Sequence, residues 1–75
     1  MEQSERKKVM NRIYAALAER GYRPVDQIIG YILTGDPSYI TNYNGARRMI
    51  AGIDRHDLLC DLLINYFASE AKSST

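Results

Sequence analysis

The chain has 75 residues, of which 45% are hydrophobic and 25% are charged, and this composition is typical of one small folded domain rather than a disordered chain. Its formal net charge is +1, so it lacks the clear basic excess of a dedicated nucleic-acid-binding protein. One cysteine and one histidine exclude an internal disulfide framework and a Cys/His metal cluster, and they favour a reducing compartment. No apolar run approaches about 18 residues and the first residues are polar, so we expect neither membrane insertion nor a signal peptide.

A polar segment opens the chain, and we predict that residues 1–5 are a disordered tail. A first helix is predicted over about residues 5–20, with Ser4 as its candidate N-cap. Its apolar face recurs at helical spacing, at Val9, Ile13, Ala16 and Leu17. Gly21 follows and predicts a left-handed helix end.

The second predicted helix begins at Pro24, which suits a first helical turn, and ends at Thr34-Gly35. Its apolar stripe comprises Val25, Ile28, Ile29, Ile32 and Leu33. Gly30 interrupts this stripe, and we expect it to allow the close approach of another backbone. A strand remains the alternative, because Ile and Tyr have high β propensity.

Turn-forming residues come next, and Asp36-Pro37 predicts a capped single turn through Ile40. The loop is not a phosphate-binding loop, because it lacks a following Gly-Lys-Ser/Thr and Asp36 would repel phosphate. Thr41 or Asn42 is the predicted cap of a third helix. The apolar positions of that helix are Ala46, Met49, Ile50 and Ile53.

The fourth predicted helix follows Asp54 and is more apolar than one buried face requires. Its apolar residues are Leu58, Leu59, Leu62, Leu63, Ile64, Tyr66 and Phe67. We therefore predict self-association, with Leu59, Leu63 and Tyr66 at the seam of a homodimer. In the alternative, this is the central helix of a monomer. The predicted fold is an all-α, compact bundle of about four short helices over residues 6–67, with a disordered C-terminal tail over residues 68–75.

Tyrosine is unusually frequent, with six residues against one Phe and no Trp. Tyrosine combines apolar area with a polar tip and suits recognition surfaces. One interpretation is therefore a surface made of Tyr22, Tyr31 and Tyr39, with Asp36 and Arg47 supplying charge. The other interpretation is that the tyrosines cover a small core while their hydroxyls reach water.

The remaining reactive side chains predict no catalytic or metal site. His56 is expected to be a solvated surface residue, and Cys60, flanked by leucines, a small buried hydrophobe. Asp54, Asp57 and Asp61 could line a weak metal site, but solvated caps are the better account, since no fourth ligand is evident. A basic patch is formed by Arg6, Lys7, Lys8 and Arg12.

The segment from Gly21 to Ile40 carries a long and specific pattern, which we call the signature segment. It reads Gly-Tyr-x-Pro-x-x-Gln-Ile-x-Gly-Tyr-x-x-x-Gly-Asp-Pro-x-Tyr-Ile, with every fixed position filled. This string resembles the IreB family of small regulatory phosphoproteins from Gram-positive bacteria. Ala46-Arg47 and Asp57 ahead of a Leu-rich final helix fit the same family, so the resemblance covers about residues 9–67.

The resemblance implies an all-helical homodimer with no enzymatic activity and no cofactor. It also implies a cytoplasmic regulator acting downstream of a transmembrane Ser/Thr kinase with PASTA repeats and of its partner phosphatase, in cell-envelope stress and tolerance to cell-wall antibiotics. The family's phosphoacceptor threonines lie ahead of the first helix. Residues 1–5 contain Ser4 and no threonine, so the resemblance assigns no phosphorylation site.

We expect the signature region to bind a protein partner, which the sequence does not identify. The predicted partner-binding residues are Tyr22, Pro24, Gln27, Tyr31, Asp36, Tyr39 and Arg47. Two other functions stay open: a small DNA- or RNA-binding dimer, whose affinity would fall steeply with salt, and a ligand sensor using the tyrosine-lined surface.

Overall fold

The computed structural model describes residues 1–73, and their side chains through residue 68. These residues form four α-helices and one 3₁₀ turn, with no strand among them. The elements are α1 (Gln3–Glu19), α2 (Pro24–Thr34), the 3₁₀ turn (Pro37–Tyr39), α3 (Ala46–Ala51) and α4 (Arg55–Ser73). The predicted all-α fold with about four helices is confirmed, and α2 is a helix rather than the alternative strand.

The N-terminal boundary differs from the prediction, because α1 begins at Gln3 and includes residues placed in the tail. Glu2 has the extended backbone of an N-cap, with φ −81° and ψ 168°. Ser4 lies inside the first turn, where its hydroxyl donates to the Glu2 carboxylate. Ser4 is therefore not the cap.

Glycine ends both α1 and α2, as predicted. Gly21 has φ +79°, its N–H donates to the Ala18 carbonyl, and the Tyr22 N–H donates to the Leu17 carbonyl, both at 3.0 Å. This pair of bonds is a Schellman motif, which satisfies carbonyls left free at the helix end. Gly35 ends α2 with φ +75°.

The link from α2 to α3 is held by side chains that bond to backbone. Asp36 Oδ1 accepts from the Ser38 N–H at 3.0 Å and caps the 3₁₀ turn, as expected. α3 is capped by Gly45, so the predicted caps Thr41 and Asn42 are wrong. Thr41 lies five residues before Ala46, too far to be the N-cap, and its backbone N–H and hydroxyl are bonded to Gln27.

The core lies where α1 packs against α3, with α2 and the 3₁₀ turn closing its side. Its fully buried side chains are Ile13, Leu17, Ile40, Ile50 and Leu58. Burying each of them contributes roughly 1.5–3 kcal/mol. Of the described α4 side chains, Leu58 alone is buried, so α4 is joined to this core near its first turn.

The C-terminal boundary also differs from the prediction. The predicted tail begins at residue 68, whereas α4 continues through Ser73. Residues 74 and 75 lie outside the described part of the chain.

Candidate functional site

Two residues of the predicted partner-binding set are buried. Tyr31 is 5% exposed, and its hydroxyl donates to the Ile53 carbonyl at 3.1 Å. Pro24 is buried at the start of α2. Neither side chain can meet a partner in this arrangement, so these two assignments are wrong. The cause is the tertiary fold: α2 turns Tyr31 toward the segment that follows α3, where its ring completes the core.

Gln27 and Arg47 are half-buried and bond within the chain. The Gln27 amide nitrogen donates to the Thr41 hydroxyl at 2.9 Å, and its oxygen accepts from the Thr41 N–H at 2.8 Å. Arg47 Nε donates to the Ile40 carbonyl at 3.0 Å. Both side chains therefore position the chain around Ile40, with the Gln27 amide and Arg47 Nε engaged inside the protein.

Asp36 is exposed, but its carboxylate accepts hydrogen bonds from within the chain. The Ser38 backbone N–H, the Ser38 hydroxyl and the nearby positive charge of Arg47 hold the pKa of Asp36 below its ordinary value. Hydrogen bonds to the charged form favour that form. Asp36 thus stays ionised and fixes the turn that presents Tyr39.

Tyr22 and Tyr39 are the members of the predicted set whose rings reach solvent, at 41% and 51% exposure. The Tyr39 ring lies against Gly30: a Cβ on that glycine would stand 2.5 Å from Tyr39 Cδ1. Gly30 therefore accommodates an aromatic ring, where we had expected a backbone. The signature segment thus builds a rigid support with two exposed tyrosines.

The predicted seam residues Leu59, Leu63 and Tyr66 are exposed in the single chain, at 41%, 54% and 63%. They lie at i, i+4 and i+7, on one face of α4. Phe67 joins that face, with its ring edge-on to Tyr66 at 5.3 Å between centroids. The seam itself stays a prediction. We call residues 59–67 the α4 arm.

A shallow apolar groove between α1 and α2 was missed by the sequence reasoning. It encloses about 290 Å³ and is lined by Met10, Asn11, Tyr14, Val25, Ile28, Ile29, Ile32 and Leu62; we call it the α1–α2 groove. Val25 and Ile29 belong to the predicted apolar stripe of α2, yet they are 58% and 48% exposed. The five residues of that stripe share one helical face by their spacing, but the buried Tyr31 lies off that face, so α2 turns part of the stripe toward solvent.

An ion pair holds the α4 arm to the start of α1. Arg6 Nε donates to Asp61 Oδ2 at 2.5 Å, and Arg6 Nη2 donates to Asp61 Oδ1 at 2.9 Å. We call this bidentate ion pair the clasp. The Arg6 hydrogen bonds lower the pKa of Asp61, and the same bonds raise the pKa of Arg6. Arg6 is therefore not free to join Lys7, Lys8 and Arg12 in a basic patch.

The clasp predicts a loss of stability in acid. Because the pKa of folded Asp61 is lowered, its contribution is complete above the unfolded Asp pKa and disappears as the pH falls through the folded value. We expect the free energy of unfolding, measured by urea from about pH 6 to about pH 3, to fall less steeply in Asp61→Asn than in the parent chain.

Asp26→Asn is the matched control for that experiment. It removes a carboxylate whose pair with Arg23 lies in solvent, with side-chain exposures of 60% and 86%. Such pairs contribute little. If Asp26→Asn flattens the acid slope as much as Asp61→Asn does, the clasp is not its source.

One exposed trio could in principle approach a cation. Ligand atoms of Asp54, His56 and Asp57 lie within 4.8 Å of one another. All three are largely solvated, and Asp61, which we had grouped with Asp54 and Asp57, is engaged by Arg6 instead. Cys60 Sγ lies 3.8 Å from His56 Nδ1. Nothing fixes these groups in the rigid geometry of a metal centre.

The described residues thus form a small helical protein that exposes apolar side chains on α2 and α4 and two tyrosines of the signature segment. None of the described helices is both long and apolar enough to cross a bilayer. Residues 1–68 match the family described as IreB regulatory phosphoprotein. The chain belongs to this family, and the resemblance carried by the signature segment is confirmed.

Proposed function

We propose that this chain is a non-enzymatic regulator that acts as a homodimer in the cytoplasm of a Gram-positive bacterium. It works downstream of a PASTA-type Ser/Thr kinase and its phosphatase, in the response to cell-envelope stress and in tolerance to cell-wall antibiotics. Its effect is exerted by binding a protein partner. The observation that carries this proposal is the match of residues 1–68 to a family of regulatory phosphoproteins.

The exposed tyrosines support a protein-binding role. Tyr22 and Tyr39 offer rigid aromatic area with a hydroxyl at the tip, the kind of side chain that dominates protein interfaces. Gln27, Asp36 and Arg47 hold the backbone around Tyr39 through the bonds described above, and the bond from the Tyr22 N–H to the Leu17 carbonyl holds the backbone at Tyr22. We accordingly narrow the proposed partner-binding residues to Tyr22 and Tyr39.

The kinase step is tested by intact mass. The protein is purified from its own cells, with the kinase gene present, with it deleted, and with the phosphatase gene deleted. Each phosphate adds about 80 Da. We expect these additions in the parent strain, more of them without the phosphatase and none without the kinase. An identical mass in all three strains would rule out the kinase-substrate proposal, and fragmentation of a heavier species would assign the modified position.

The partner-binding role is tested in cells. A strain lacking this chain is complemented with the parent sequence, with Tyr22→Ala/Tyr39→Ala, or with Arg48→Ala as an exposed control. We expect the double variant to fold normally by circular dichroism and to fail to restore the parent response to a cell-wall antibiotic. Full complementation by the folded double variant would remove the tyrosines from the functional surface.

A further inference from the structure

The α4 arm presents two different faces. Asp61 and Asn65 lie toward α1, where they line a groove with Arg6, Met10 and Leu58, the residue just before the arm. The other face carries Leu59, Leu63, Tyr66 and Phe67, which are 41–63% exposed. This second face has no partner among the described residues, because the clasp and Leu58 already orient the arm with its first face inward.

The α1–α2 groove lies beside this free face. Leu62 joins the two, since it lines the groove and lies three residues after Leu59 and four before Tyr66, the spacings that make neighbours on a helix surface. The groove and the arm therefore form one continuous apolar surface. No charged side chain lines the groove. Asp61 is the one charged residue of the arm, and Arg6 pairs with it.

We infer that the α4 arm of a second copy of this chain occupies the α1–α2 groove, with the first copy's arm in the groove of the second. This inference deepens the homodimer of the proposed function and rests on it. It keeps Leu59, Leu63 and Tyr66 at the seam and adds Tyr14, Val25 and Ile29 as the surface that receives them.

A second copy of the chain is a better occupant of the groove than an unrelated helix, because it would bury more of the apolar surface. A single foreign helix in the groove would leave the free face of the arm in water. A two-fold pairing covers both, because residue i of one chain meets residue j of the other, and j meets i. One symmetry operation thus buries the whole surface.

The area is also sufficient for a stable dimer. Eight apolar side chains, each 41–63% exposed, belong to the surface: Tyr14, Val25, Ile29, Leu59, Leu62, Leu63, Tyr66 and Phe67. Each half-exposed side chain of this size presents on the order of 100 Å². Together they reach about 800 Å² per chain, the area that each partner buries in a standard stable interface.

The length of the α4 arm also matches the length of α2. α2 has 11 residues and runs about 16 Å, and the arm of nine residues runs about 13 Å at 1.5 Å per residue. An arm lying along α2 would therefore stay within the groove and would bring its middle residue, Leu63, beside the middle residue of α2, Ile29.

Disulfide trapping tests which surfaces meet. In a Cys60→Ser background, one chain carries Ile29→Cys and another Leu63→Cys, and the two are mixed under mild oxidation. We expect the 29–63 disulfide to form in preference to 29–29 and 63–63. A mixture dominated by 63–63 would overturn the inference while leaving a dimer in place, and so would leave the proposed homodimer standing.

Charge variants give the second measurement. Sedimentation should show the parent chain and the exposed control Arg48→Glu at twice the 8.6 kDa chain mass, and Ile29→Glu and Leu63→Lys as folded monomers. Mixing Ile29→Glu with Leu63→Lys should restore the dimer, since one contact pairs opposite charges and the other is unchanged. A parent chain that stays monomeric would overturn both this inference and the homodimer. A mixture that stays monomeric would overturn the reciprocal contact alone.

Discussion

Replacing Tyr31 with alanine should destabilise the protein by about 3–5 kcal/mol, the range for removing a buried aromatic ring. The ring is 5% exposed and belongs to the core formed by α1 and α3, and its hydroxyl is bonded to the Ile53 carbonyl. Small domains have a total stability of only about 5–15 kcal/mol. We therefore expect the urea midpoint of Tyr31→Ala to lie far below that of the parent chain.

Two matched variants separate burial from surface function. Tyr31→Phe keeps the ring and removes the hydroxyl, which should cost about 1–2 kcal/mol because the Ile53 carbonyl loses its donor. Tyr39→Ala removes a ring that is 51% exposed and should cost about 1 kcal/mol. Equal destabilisation by Tyr31→Ala and Tyr39→Ala in urea unfolding would contradict the different placement of the two rings.

These values bear on how the signature segment works. Its pattern suggested a recognition surface, yet three of its polar residues bond to its own backbone or to the residue just after it. These are Gln27, Thr34 and Asp36, with partners at Thr41, Gly30 and Ser38. The unusual string therefore encodes mainly the support for Tyr22 and Tyr39, the two residues to which we narrow the proposed partner-binding surface. A family signature need not coincide with the surface that performs the function.

The helix boundaries of the middle of the chain were predictable, because local chemistry sets them. Pro24 suits a first turn, and Gly21 and Gly35 take the left-handed conformation that ends a helix. Asp36 caps its turn through a bond to a residue two positions away. Interactions this short in sequence can be read from the sequence alone.

Contacts between distant residues were not predictable in the same way. Arg6 meets Asp61 across 55 positions, and Tyr31 meets Ile53 across 22. The buried face of α2 was also ambiguous, since apolar residues surround most of that helix and periodicity cannot rank them. Ile32 packs against the core while Val25 faces solvent, a difference that only the position of α1 and the 3₁₀ turn decides.

The surplus of apolar residues in the last helix, by contrast, was visible in the sequence. The sequence predicted that the last helix carries more apolar surface than one chain can cover, and Leu59, Leu63 and Tyr66 are indeed exposed. What the sequence could not indicate was a second uncovered face on α2 beside it. That face lies near the arm because α1 holds α4 through the clasp.

Gly35→Ala should destabilise the protein by about 2 kcal/mol through two separate effects. Gly35 has φ +75°, where an alanine costs about 1 kcal/mol. A Cβ there would also stand 2.8 Å from Arg55 Cζ. The guanidinium can move aside, but it would lose its 3.0 Å bond to the Ile32 carbonyl at the end of α2, which is worth about 1 kcal/mol.

Gly45→Ala is the matched control, because Gly45 has nearly the same φ, +74°, and a Cβ added there would meet no atom within 4 Å. It should cost about 1 kcal/mol, the backbone effect alone. In an Arg55→Ala background the cost of Gly35→Ala should fall to that same value, since the second effect is gone. Urea unfolding of the four variants measures both differences. A cost for Gly35→Ala that is unchanged by Arg55→Ala would mean that Arg55 does not join the end of α2 to the start of α4, and that the orientation of the α4 arm depends on the clasp and Leu58 alone.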